Sequence, residues 1–431
     1  MTLTTLLGAT SCSFDKYSVE VTVTGLLGTG LELADNGGSD TTVSADGAFV
    51  FSSKVSNDDA YSVTVVTQPT NPAQWCTVHN GSGTIDKADI VNVIVHCTQA
   101  GSYAYVANET DSSISAYAID DVNGVFTALS GSPFAASGTA PWALVVDPNY
   151  NYLYVVNNSS DTVSVFTIDT SDGVLTSTGT TISTGSQPTA IAIHPSDQFM
   201  YVANSADNTV SAYTLSDGAA TEISGSPYST GNYPCALAID PNGNFLYVTN
   251  YDDGTVTAFS IDYTTGALTT IAGSPFGAGK GAVAIAIDPT DTYVYVANEK
   301  GDSTSAYSLN STTGALVALS GSPVSTSSSP ESLAVNPGGS ELYVANVTAA
   351  NEIANYAITP STGTLALGTP IAAGTLPLSI VVDPGGLFVY AANKNSDDVS
   401  VYSVSATTGV ATAVAGSPFA AGAGSRAIAI F

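Results

Sequence analysis

The sequence predicts an all-β protein: a seven-bladed β-propeller of four-stranded blades, closed by the C-terminal strand, with a small N-terminal β-sandwich before it. Three observations lead there. A Tyr-Val-x-Asn stretch ends at Asn108, Asn157, Asn204, Asn250, Asn298 and Asn346, and a Tyr-Ala-Ala-Asn copy ends at Asn393, at spacings of 46 to 49 residues. A repeat of that length holds four short strands with their turns, which is one propeller blade. Forty Gly, twenty Pro and 22 Tyr against two Met describe strands joined by tight turns, not helices. Finally, the chain ends in Arg426-Ala-Ile-Ala-Ile-Phe431, which matches the apolar run that opens the other units and is followed by nothing else of the unit.

Residues 1–16 are apolar but too short to span a bilayer. They read either as the remnant of an export signal, with Ala9-Thr10-Ser11-Cys12 loosely matching a lipoprotein cleavage box and Cys12 as the lipid-bearing residue, or as an extended strand donated to a neighbouring copy.

Residues 17–99 lie outside the repeat. The stretches at 17–24, 47–51, 61–66 and 91–96 alternate apolar and polar residues between Gly/Asn/Asp turns, the pattern of half-buried antiparallel strands. Cys76 and Cys97 are expected to form a disulfide closing a loop of about twenty residues, which contributes about 3 kcal/mol and implies an oxidising compartment. His79 and His96 stand near them, but adjacent strand residues point to opposite faces, so no zinc site is expected. The order Asp-Gly-x-Phe-x-Phe (46–51), Tyr-Ser-Val-Thr-Val (61–65) and a Cys-bearing strand resembles the prealbumin-like or immunoglobulin-like modules of exported bacterial proteins.

In residues 101–431 the clearest unit runs from Pro234. An apolar run (234–240), a Pro-Asn-Gly turn, the motif strand (244–250), an Asp-Asp-Gly turn, a third strand (255–261) and a fourth (267–271) end at Gly273-Ser-Pro-Phe276. A strand apolar on both faces must be covered on both, as between blades packed around an axis. The array opens at Tyr103 with a second strand, so the C-terminal run should supply the missing innermost strand of the first blade and remove the free edge. The motif Asn is expected to be structural, initiating the turn into the third strand. With these residues the propeller resembles the YVTN-type seven-bladed propellers, a group of surface-layer and exported proteins, and more remotely the propeller lactonases such as 6-phosphogluconolactonase.

Seven Lys or Arg against 36 Asp or Glu give a net charge of -29, which repels phosphate backbones and excludes nucleic acid as a partner. Aligning the units places Trp142, Thr189, Cys235, Val283, Glu331, Leu378 and Arg426 at the start of the innermost strands, where a propeller's channel opens. Glu331 and Arg426 are the only charges in that ring, and an ion pair between them is expected in preference to a catalytic pair. Asp147, His194, Asp240, Asp288, Asn336 and Asp383 recur before Pro at the other end of the same strand and read as turn caps, with His194 on the surface. No metal site and no cofactor are expected, Ca²⁺ in the acidic loops being the one ion to consider.

The first reading is therefore a non-enzymatic exported protein, secreted or on the cell surface, acting as a structural or adhesive unit through self-association or contact with other surface proteins or glycans. The alternative is a lactonase-like hydrolase with Glu331 and Arg426 as its active groups. A further alternative is a carbohydrate or protein receptor.

Overall fold

The computed structural model describes residues 16–26, 28–36, 38–69, 74–99, 103–347, 351–405 and 409–431. The export signal, lipid attachment at Cys12 and the donated strand lie outside the described residues. The chain divides into two compact units, Met1–Gln99 and Ala100–Phe431. No described helix is long and apolar enough to cross a membrane.

The first unit contains two four-stranded sheets. One runs Gly47–Val50, Val19–Thr24, Ile90–Gln99, Gln74–His79; the other runs Gly38–Val43, Leu31–Asp35, Ala60–Thr67, Ser82–Thr84. Alternation sends Val19, Val21, Val23, Leu31, Leu33, Tyr61, Val63, Val93 and Val95 into a common core. One pairing departs from the antiparallel expectation, since Ile90–Gln99 runs parallel to Val19–Thr24. Cys97 sits directly opposite Cys76 on the neighbouring antiparallel strand, and the two form a disulfide with Sγ–Sγ 1.99 Å.

The second unit is the propeller. In the blade built around Tyr247, the strands Pro234–Ile239, Phe245–Asn250, Thr255–Ile261 and Leu268–Thr270 pair in that order, antiparallel throughout. The blade that opens the array takes its innermost strand from the C-terminus: Ser425–Ile430 pairs antiparallel with Tyr103–Asn108. Phe431 then stacks on Tyr105 and Tyr150, its ring centroid 6.0 and 5.0 Å from theirs.

The repeated residues stitch blades together. Every motif Tyr is buried, and five of them donate their hydroxyl to a glycine carbonyl in the following blade, Tyr105 to Gly173 and Tyr247 to Gly314 among them. Burying such a ring removes apolar area from water, while the hydrogen bond spares the hydroxyl an unmet desolvation cost of about 1–3 kcal/mol. The motif Asn is fully buried in all seven copies. The turn into the third strand follows it, and in six of the copies its Nδ2 also reaches across to side chains of that strand, as Asn250 does to Thr255 and Thr257 at 3.0 and 2.9 Å. In Asn204, Asn250 and Asn298 the Oδ1 accepts the N–H of a glycine in the preceding crossing loop, Gly185, Gly231 and Gly279.

The Gly-Ser-Pro cassette also has a local cause. Past Leu268–Thr270 the chain turns through a cis Ser274–Pro275 bond and returns as Phe276–Gly277 to pair again with the third strand. The interruption would leave Ala258 N–H unpaired, and Ser274 Oγ accepts it at 2.9 Å; Ser132, Ser226, Ser322 and Ser417 do the same in their blades.

Candidate functional site

All seven innermost strands begin the same way. Two residues before each predicted ring position stands a residue with positive φ: Ala140, Gln187, Tyr233, Gly281, Ser329, Leu376 and Gly424. Its carbonyl accepts the N–H of the residue that follows the motif Asn, for example Tyr251 N–H to Tyr233 O at 3.0 Å and Lys394 N–H to Leu376 O at 2.9 Å. The next residue joins the ladder opposite the motif Asn, as Pro234 does opposite Asn250, and then the register slips by one. The same slip occurs in every blade, between Pro330 and Ser332, between Pro377 and Ser379, and at Arg426. The residue skipped is always the ring residue. A bulge frees a side chain from the up-and-down alternation of a strand and re-aims it. Here it turns Trp142, Thr189, Cys235, Val283, Glu331, Leu378 and Arg426 into one cavity of about 460 Å³.

That volume falls within the range of small-molecule sites. Tyr233, Tyr251, Asp252, Ser332 and Ser379 complete much of its polar and aromatic lining. Sequence reasoning found the ring but not the charges behind it. These lie at the residue after each motif Asn, where the seven copies read Glu109, Asn158, Ser205, Tyr251, Glu299, Val347 and Lys394. Variation directly after an otherwise unchanging Asn was the available signal.

The expected Glu331–Arg426 ion pair is corrected by the structure. Arg426 Nη1 instead lies 3.3 Å from Glu109 Oε2, and Lys394 Nζ lies 2.6 Å from the same oxygen. Glu109 outcompetes Glu331 because it stands in the same blade as Arg426, at the end of the strand that pairs with Ser425–Ile430. The Arg426 guanidinium also packs 3.1 Å from the ring centroid of Trp142. On the other side of the cavity Tyr251 donates its hydroxyl to Glu299, and Lys300 Nζ lies 4.1 Å from the Tyr251 ring centroid.

Glu331 is thus left without an ionic partner among the described residues, in a desolvated place. Burial, with the Glu299 charge adding to it, pushes its carboxyl up to about 7, against the opposing pull of Arg426. Such a group exchanges a proton readily at neutral pH. Cys235 is the reverse case: burial, reinforced by Glu331 and Asp252, pushes its thiol up to about 12, so it stands in the wall as a neutral group and not as a nucleophile.

At the other end of the innermost strands the repeated acids hold turns. Asp147, Asp240, Asp288 and Asp383 are buried and accept N–H groups of the turn, Asp147 that of Tyr152 at 2.6 Å. His194, expected on the surface, is 1% exposed because it plugs the junction with the next blade. Its Nε2 lies 2.8 Å from Gly243 O and its Nδ1 2.7 Å from Ser196 Oγ, so both nitrogens are occupied. Among the described residues no three His, Cys, Asp or Glu side chains gather into a group able to hold a metal ion.

Residues 64–189, 181–284 and 276–425 match the family of the lactonase, 7-bladed beta-propeller. The chain belongs to that family. Membership overturns the reading of the propeller as a non-enzymatic structural or adhesive unit, because the family is one of lactonases. Among solved structures, a putative 6-phosphogluconolactonase from Bacteroides uniformis is similar in fold, with 19% identity and a TM-score of 0.69 over 77% of this chain and 100% of that one. A periplasmic gluconolactonase from Pseudomonas aeruginosa is 18% identical, with a TM-score of 0.67 over 76% of this chain and 98% of that one. At such identities the likeness is one of fold. No curated protein matches the chain.

Proposed function

We propose that this propeller is a lactone hydrolase working in the central cavity. The observation that carries the reading is that one cavity of a lactonase-family chain holds a half-buried carboxyl with no ionic partner among the described residues, Glu331, and a guanidinium held by other groups, Arg426. The lactonase names of the structurally similar proteins from B. uniformis and P. aeruginosa accord with it.

The chemistry follows from those two groups. A lactone carbonyl placed at Arg426 gains a donor for the negative charge that develops on its oxygen when the acyl carbon is attacked. Glu331, ionised, accepts a proton from water as the water oxygen bonds to that carbon. When the tetrahedral adduct collapses, the ring carbon–oxygen bond breaks and the proton passes from Glu331 to the departing ring oxygen. A hydroxy acid results, and its carboxyl ionises. A carboxyl with a pKa of about 7 suits both halves of this exchange. Trp142 and Glu109 hold Arg426 in place and are positioning residues.

The test is the pH dependence of kcat/KM for a δ-lactone, corrected for spontaneous hydrolysis. It should rise with pH and level off through an apparent pKa of about 7 as Glu331 ionises. Glu331→Gln should lower it by about 100-fold or more and abolish that limb. Activity that survives Glu331→Gln with the same pH profile would exclude the mechanism. The Cys76–Cys97 disulfide supports placing the enzyme in an oxidising compartment, outside the cytosol.

A further inference from the structure

The substrate's charge can be argued from what surrounds the cavity. Residues 101–431 contain only four cations, Lys280, Lys300, Lys394 and Arg426. Arg426 lines the cavity and the other three lie beside it. Lys394 and Arg426 share Glu109. Lys300 lies over Tyr251, whose hydroxyl donates to Glu299. Lys280 and Lys300 line a side cavity with Asp252 and Asp253.

Inside the main cavity the wall carries two carboxyl groups, Glu331 and Asp252, against one guanidinium, and the indole of Trp142 covers part of that guanidinium. A phosphate dianion is ordinarily held by unmatched Arg or Lys forks or by the N-terminus of a helix. Neither is offered inside the cavity: Arg426 is the one Lys or Arg in its lining and is already paired with Glu109, and the one described helix is a three-residue 3-10 turn, Glu299–Gly301. The groups themselves register the local field. Burial raises both the Cys235 thiol and the Glu331 carboxyl, with Glu331 adding to the first and Glu299 to the second against the pull of Arg426.

We propose that the cavity takes an uncharged lactone and rejects one bearing a phosphate or other anionic substituent, and that the same acidic wall helps expel the carboxylate product. This rests on the hydrolase reading above and adds the substrate class to it. Ring opening turns a neutral ligand into an anion in a place where anions are disfavoured, so the reaction weakens its own product's hold. The aromatic rings of Trp142, Tyr233 and Tyr251 offer apolar contact to an uncharged ring without requiring charge on it.

The experiment compares kcat/KM of the purified full chain for glucono-1,5-lactone and 6-phosphoglucono-1,5-lactone at low salt, with spontaneous hydrolysis subtracted. The uncharged lactone should be preferred by about 100-fold or more, as expected for a dianion facing two carboxyl groups and one paired guanidinium. Asp252→Asn should raise the phospholactone's kcat/KM by about tenfold, and added salt should narrow the gap. Gluconate should inhibit only weakly. Equal or better use of the phospholactone overturns the inference and leaves the hydrolase reading intact. Tight inhibition by gluconate overturns the product-expulsion part. Hydrolysis of neither lactone removes the hydrolase reading and the inference with it.

Discussion

Arg426 and Trp142 sit on the bulges of adjoining blades, and the guanidinium of the one lies 3.1 Å from the ring centroid of the other. Arg426 comes from the last residues of the chain and Trp142 from the second motif unit, so the contact forms only when the ring closes. Planarity matters at this contact, since an ammonium neither stacks on indole nor presents a fork. Arg426→Lys should therefore lower kcat about 100-fold while shifting the melting temperature little. Steady-state kinetics alongside thermal melting checks this; a Lys variant with unchanged kcat would remove Arg426 from the chemistry.

Closure itself is testable. Residues Ser425–Ile430 are the innermost strand of the first blade, and Phe431 packs among Tyr103, Tyr105 and Tyr150. Removing 426–431 exposes the edge of Tyr103–Asn108 and empties that aromatic pocket. The truncated chain should be recovered as aggregate or melt without a cooperative transition. A soluble, cooperatively melting product would contradict the closure.

Buried carboxyls on the opposite face set a pH dependence of stability. Burial pushes Asp147 and Asp240 up to about 7 and Asp291 up to about 6, with the neighbouring Asp197 and Asp291 charges adding to the first two. A carboxyl whose folded pKa lies above its unfolded value near 3.8 binds more protons when folded. Its contribution is thus full below that unfolded value and is lost as pH rises through about 7. The propeller should melt higher at pH 5 than at pH 8. Replacing Asp197 and Asp291 together by Asn should narrow that difference, because Asn149 and Asn242, which donate to them, keep an oxygen to bond. Calorimetry at the two pH values decides it, and an unchanged gap would place the titration elsewhere.

The disulfide belongs to the small unit alone. Cys76 and Cys97 are 21 residues apart, and their crosslink should stabilise that unit by about 3 kcal/mol. Under reductant, or in Cys97→Ser, the unit of residues 1–99 should become sensitive to protease while the propeller, with Cys235 as its one cysteine, keeps its melting transition. Limited proteolysis with and without reductant separates the two behaviours.

The ring of seven was legible because repetition at near-constant spacing lets equivalent positions be read off without any knowledge of packing. What periodicity cannot show is a register slip. The bulge that turns Glu331 and Arg426 inward leaves no mark on a strand already apolar on both faces. Nor does spacing along the chain reveal that Glu109 and Lys394, 285 residues apart, meet across the closed ring. His194 was misplaced for a related reason. Its position looks like an exposed turn within its own blade, and only the adjoining turn at Gly243 buries it.

The slip between the first and third residues of each innermost strand separates two demands that usually compete on a β-strand. Residues on either side of it must satisfy the ladder, whereas the skipped residue has no place in it. Seven such places, one per blade, face the cavity outside the ladder. A chain can thus keep its buried tyrosines and its ladder while the side chains facing the cavity, and those beside the motif asparagines, set the chemistry of the pocket.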